Sequence, residues 1–217
     1  VLGIVNRNGA FAEYLALPVK NLHPVPDSVS TEAATFTEPI AAALEIQEQV
    51  TITPQTKVLV VGDGKLGQLV AQTLALTGCD LLAIGRHAEK LANLTAQNIS
   101  TGFAEDVRER SFDIAVECTG NPDGFAIARR ALRPRGILVL KSTYANQLSL
   151  DISSIVVDEI TLIGSRCGPF SKALKLLAEN KIKVDNLIQA KYSLDEGLAA
   201  FKHAQQRGVL KVLLEIN

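Results

Sequence analysis

The sequence predicts an α/β protein with a doubly wound parallel sheet, and three observations predict it. Short apolar runs of four to six residues recur at 58–61, 81–84, 112–117, 137–140 and 159–164. Segments with apolar residues at helical spacing alternate with them. The first run ends directly in a glycine turn, Gly62-x-Gly64-x-x-Gly67, which opens into a helical pattern. Strands that are apolar throughout, rather than alternating, belong to a sheet covered by helices on both faces.

The elements read in order as follows. Residues 1–6 are apolar and strand-like, Asn8-Gly9 is a turn signal, and 10–17 reads as a second short strand. Pro18, Pro24 and Pro26 then predict an extended connection, because proline donates no ladder hydrogen bond and restricts its predecessor. Ser30 can cap a helix through 31–34, and Pro39 suits the first turn of a second helix through Ala41, Leu44 and Ile46. Thr53-Pro54-Gln55 is a loop, and the strand 58–61 leads through the glycine turn to a helix over 68–76. A strand at 81–84, a helix at 88–97 and a strand at 112–117 follow, the last ending in Cys118-Thr119-Gly120. Residues 125–132 read as helix, 133–136 as a turn, 137–140 and 159–164 as strands, and 171–179 as a helix. Ser193-Leu194-Asp195-Glu196 has the form of a capping box, opening a helix that ends near Gly208 before a final strand at 209–216.

Composition narrows the function. The 217 residues are 47 % apolar, enough for a sizeable core. Lys and Arg number 22 against 23 Asp and Glu, a balance that supports neither nucleic acid nor an anionic membrane as partner. No run is long enough to span a bilayer and no basic-then-apolar leader opens the chain, so a cytoplasmic protein is expected. Cys79, Cys118 and Cys167 lack zinc-finger or disulfide-framework spacing and read as reduced thiols. The chain starts at Val1 and has no methionine, which reads as a fragment or a trimmed polypeptide.

The glycine turn carries the chemistry. Gly62 permits the turn, Gly64 lets backbone approach a pyrophosphate, and Gly67 lets helix and strand pack closely. Unpaired amides and the positive end of the helix dipole then face the anion, which brings Asp63, Lys65 and Leu66 into contact with a dinucleotide. An NAD-binding protein carries an acidic residue at the end of the second strand, to bind the ribose hydroxyls. Here that strand ends in Gly85-Arg86-His87, with Gly85 23 residues beyond Gly62. Glycine leaves room for a phosphate and Arg86 offers a fork-shaped cation for it, so NADP(H) is expected over NAD(H). His23, His87 and His203 have no ligand spacing to one another or to the cysteines, so no metal site is expected within the chain alone.

Five dispersed segments carry a resemblance in addition to that turn: Gly9-Ala10-Phe11-Ala12-Glu13-Tyr14, Thr37-Glu38-Pro39-Ile40-Ala41-Ala42-Ala43, Glu117-Cys118-Thr119-Gly120, Gly164-Ser165-Arg166 and Gly208-Val209-Leu210-Lys211-Val212. In order and spacing the chain resembles the medium-chain dehydrogenase/reductase family, in its zinc alcohol and sorbitol dehydrogenase branch. The resemblance implies a Rossmann fold over residues 40–166. It also implies remnants of a GroES-like catalytic domain at both ends, 1–39 and 167–217, with most of that domain absent. It further implies hydride transfer between a nicotinamide and a small alcohol, polyol or sugar, with zinc only in a complete enzyme. Glu38, 24 residues before Gly62, stands where the family places a third zinc ligand, although an acidic residue there also complements a helix start. Cys118 and Thr119 match the loop that passes the nicotinamide ribose. Lys141, Ser142 and Thr143, and then Ser165, Arg166 and Cys167, match strand ends that meet the nicotinamide. Lys211 matches a basic residue that reaches the pyrophosphate, and a homodimer joined near 159–164 is implied. A silent dinucleotide-binding module is the rival reading. A zinc-independent quinone-reductase-like protein is a further one, against which Glu38-Pro39 weighs.

Overall fold

The computed structural model describes residues 2–3, 5–144 and 147–216. Its chain passes through α1 (Thr31–Ala34), α2 (Thr37–Gln49), β1 (Lys57–Val61), α3 (Lys65–Ala75), β2 (Asp80–Ile84), α4 (Ala88–Thr95), β3 (Ser100–Gly102) and β4 (Phe112–Glu117). It continues through α5 (Pro122–Ala131), β5 (Leu132–Leu140), α6 (Ile152–Val157), β6 (Thr161–Gly164), α7 (Phe170–Ala178), β7 (Ile188–Ser193), α8 (Gly197–Ala204) and β8 (Lys211–Glu215). Strands β1 to β6 form one sheet in the order β3-β2-β1-β4-β5-β6, and every pair in it is parallel. That order is the doubly wound arrangement, with its switch point between β1 and β4. Strands β7 and β8 form a separate two-stranded parallel sheet.

The period-two pleat sorts each strand between two cores. Val58 and Val60 pack with Ile40, Leu69, Val70 and Leu74 of α2 and α3, joined by Ala173 and Leu177 of α7. Leu59 and Val61 pack on the opposite face with Phe125, Ala128 and Ala131 of α5. Phe36, Ile40, Ile46 and Leu59 are fully buried, each contributing about 2 kcal/mol of burial free energy.

Several sequence expectations are corrected. Residues 10–17 form no strand, and neither do the described residues of 1–6; residues 1 and 4 lie outside the description. Phe11 and Tyr14 are instead exposed, because a strand needs a neighbour to receive its hydrogen bonds and this stretch has none among the described residues. The expected turn at 133–136 lies inside β5 as an irregularity, with Arg135 at φ 64° and the register shifting between Phe112 and Ile114. Strands β3 and β7 and helix α6 are additions. Helix α2 starts at Thr37, with Pro39 in its first turn as expected. The capping box holds: Glu196 Oε2 accepts from Ser193 N at 3.1 Å and Ser193 Oγ at 2.9 Å, although one 3₁₀ turn precedes α8. Among the described residues no helix is long and apolar enough to cross a membrane.

Candidate functional site

The site grows from the glycine turn. Gly62 has φ 124°, a backbone conformation that strains any residue with a Cβ. A Cβ on Gly67 would fall 1.9 Å from Gly62 O, so the start of α3 crosses β1 in contact that only glycine permits. Around Gly64 the space is open, and no side chain caps α3 there. The first-turn amides of α3 therefore point into open space at the carboxyl edge of the sheet, beside the switch point.

A cleft of about 440 Å³ opens over this edge. It gathers Gly62, Asp63, Gly64, Gly85, Arg86, His87, Cys118 and Thr119, all expected from the sequence. Lys90, Asn121, Asp123 and Ile127 also line it and escaped that reading. Asp63 Oδ2 accepts from Arg86 N at 2.7 Å, His87 N at 2.8 Å and His87 Nδ1 at 2.9 Å. Burial opposes its ionisation, but these donors outweigh burial and hold the carboxyl below its ordinary range. Lys90 is only 9 % exposed, yet no carboxylate among the described residues pairs with it, nor with Arg86. Its place in the first turn of α4, just after Arg86, was the available signal.

Glu117, fully buried at the end of β4, shapes the loop along the cleft wall. Its Oε1 accepts from Thr119 N and Thr119 Oγ1, both at 2.5 Å, and from Gly120 N at 3.0 Å, while Oε2 accepts from Tyr144 OH at 2.8 Å. Burial and this hydrogen bond push the Tyr144 phenol well above its ordinary range. Burial also pushes the Cys118 thiol far up, which disfavours a thiolate in the cleft wall that Cys118 lines.

A second cleft, about 390 Å³, holds Glu38, Lys65, Leu66, Lys141, Ser165, Arg166 and Lys211 together with Thr35, Pro39 and Ala42. Four cations face one carboxylate there. Lys141 Nζ donates to Ala42 O at 2.6 Å, Ser165 Oγ at 3.1 Å and Arg166 O at 3.3 Å, tying α2 to the loop after β6. Burial pushes its pKa down. Lys211 Nζ donates to Thr35 O at 2.9 Å and lies 4.5 Å from the centre of the Phe36 ring. Burial first, then the Lys65 charge, push Lys211 down to about 8. Ser142 and Thr143 line neither cleft and pack beside Gly120 instead, and Cys167 is exposed outside both. The described residues contain no group of three or more His, Cys, Asp or Glu side chains that could hold a metal ion.

The family model described as glucose dehydrogenase C-terminus matches residues 28–216. The chain belongs to that family. It is similar to a sorbitol dehydrogenase of Halalkalibacterium halodurans, 25 % identical over 96 % of this chain and 66 % of the relative. It is also similar to a D-arabitol-phosphate dehydrogenase of Enterococcus avium, 27 % identical over 97 % of this chain and 65 % of the relative. The fold matches that of a zinc-binding dehydrogenase candidate from Sinorhizobium meliloti, solved bound to NADP, with a TM-score of 0.84 and 24 % identity over 96 % of this chain and 66 % of that one. The chain spans just under two thirds of the length of these relatives.

Proposed function

We propose that the chain binds NADP(H) along the carboxyl edge of its sheet and forms the dinucleotide-binding part of a zinc-type dehydrogenase acting on a small alcohol, polyol or sugar. The observation that carries this reading is the cleft beside the glycine turn, in which Arg86 and the nearly buried Lys90 have no carboxylate partner among the described residues. A buried lysine without an anion is costly, and a phosphate would supply one. The names of the relatives, sorbitol and D-arabitol-phosphate dehydrogenases, support the polyol class. In this reading the first-turn amides of α3, from Lys65 and Leu66, receive the pyrophosphate, and Lys211 adds a cation across the second cleft. Cys118 and Thr119 wall the nicotinamide ribose, while Lys141, Ser142 and Thr143 and then Ser165, Arg166 and Cys167 stand at the strand ends nearest the nicotinamide. The bound nicotinamide supplies a carbon that takes or gives a hydride. Residues 1–39 and 167–217 are read as the parts that flank this domain toward a catalytic domain. Glu38 faces the second cleft as a single carboxylate, so it would be one ligand of a zinc site completed by groups outside this chain.

Calorimetric titration with NADP and NAD tests the reading. Tighter NADP binding that Arg86→Ala abolishes is expected, and equal binding of both would overturn the preference. A second reading, a binding module without turnover, is favoured by the lack of a metal-ligating cluster among the described residues. Retained cofactor binding with no zinc and no alcohol-dependent NADP reduction would establish that second reading for this chain. We also propose that two copies pair at the β6 edge, beside the exposed Val156 and Val157 of α6. Light scattering at monomer mass would contradict the pairing.

A further inference from the structure

Position 85, at the end of β2, has no side chain, yet the space beside it is filled. A Cβ built on Gly85 would fall 2.3 Å from Asp63 Oδ2, 2.4 Å from its Cβ and 2.6 Å from its Cγ. Asp63 comes from the turn after β1, the strand next to β2, and only 8 % of it is exposed. Its side chain therefore occupies the volume that a residue at 85 would claim, and the two positions cannot both carry a side chain in this arrangement. With three donors on Oδ2, that oxygen is taken up in holding the turn and is not free for a ribose hydroxyl.

We propose that Asp63 is the positioning residue for cofactor selection: it fills the space left by Gly85 and pins the amides of residues 86 and 87, so that Arg86 and Lys90 face the cleft and take the 2′-phosphate of NADP(H). This rests on the NADP(H) reading above. The carboxylate at the strand end thus comes from the glycine turn and is spent on the amides of residues 86 and 87 and on His87 Nδ1, so it holds the backbone that carries Arg86 instead of binding ribose hydroxyls. Asp63 touches the turn and not the phosphate; its action passes through Arg86 and Lys90.

The test uses the 217-residue chain, two probes that differ only in the phosphate, 2′,5′-ADP and 5′-AMP, and the thermal midpoint. Wild-type protein should bind 2′,5′-ADP at least about tenfold more tightly than 5′-AMP, the scale of a charge-assisted contact. Asp63→Ala should bring that ratio near one while changing 5′-AMP affinity less than about threefold, a split that general destabilisation would not produce. Asp63→Asn keeps an acceptor for the two amides and should retain most of the ratio. Gly85→Ala should lower the midpoint beside Asp63 and cost little in the Asp63→Ala background. An unchanged ratio in Asp63→Ala, or an Asn variant that folds but loses the ratio entirely, would overturn the positioning role. Gly85→Ala without loss of midpoint would overturn the exchange of space. Wild-type preference for 5′-AMP would overturn the NADP(H) reading itself, and this role with it.

Discussion

The two clefts at the carboxyl edge of the sheet are built in opposite ways. The first is made by short segments that follow β1, β2 and β4, and its shape rests on backbone contact: Gly67 against Gly62, and Glu117 and Asp63 each holding loop amides. The second draws on residues from Thr35 to Lys211, and its shape rests on two lysine amines reaching carbonyl oxygens, one of Thr35 just after α1 and one of Ala42 in α2. A cleft made of close backbone contact admits little change in side-chain volume. A cleft made by half-buried lysines answers to pH and to charge instead.

Breaking the first cleft should therefore cost more than breaking the second. Gly67→Ala should be the most damaging change, because a Cβ at 1.9 Å from Gly62 O forces helix and strand apart. We expect a loss of about 3 kcal/mol by urea unfolding and no measurable dinucleotide binding. Glu117→Ala leaves the amides of Thr119 and Gly120 and the Tyr144 hydroxyl without their acceptor, at a cost of about 3 kcal/mol by the same measurement. Lys141→Met removes three hydrogen bonds but also a half-buried charge that solvent still screens, so about 1 kcal/mol is expected. A Lys141→Met loss as large as that of Gly67→Ala would erase the contrast between the clefts.

The smallest effect is on pH dependence. Lys211 titrates near 8 in the folded chain against an ordinary 10.5, so between these values the unfolded chain binds more protons and folding gains stability as pH rises. An anion favours the protonated amine, so dinucleotide affinity should fall above pH 8 by up to about tenfold per unit. Calorimetry across that range should show the slope in wild-type protein and not in Lys211→Gln.

The glycine turn, five of the six strands of the large sheet and Arg86 were legible because each depends on near neighbours: an apolar strand, its turn and the helix that follows. What escaped depends on contacts distant in sequence or on atypical composition. Strand β3 is only Ser-Thr-Gly, and α6, Ile-Ser-Ser-Ile-Val-Val, is rich in β-branched residues that suit strands. Strand β7 pairs with β8, whose residues lie far along the chain. Lys90 reads as a solvated helix charge until the fold turns it toward the cleft. Asp63 was legible as a member of the turn, but its grip on residues 86 and 87 needs β1 and β2 side by side.

A crystal structure of the chain with NADP bound tests the central claim most directly. The account predicts the pyrophosphate against the first-turn amides of α3 and the 2′-phosphate between Arg86 and Lys90. A nucleotide lying elsewhere, or one seated in the cleft with its 2′-phosphate directed away from both cations, would contradict it.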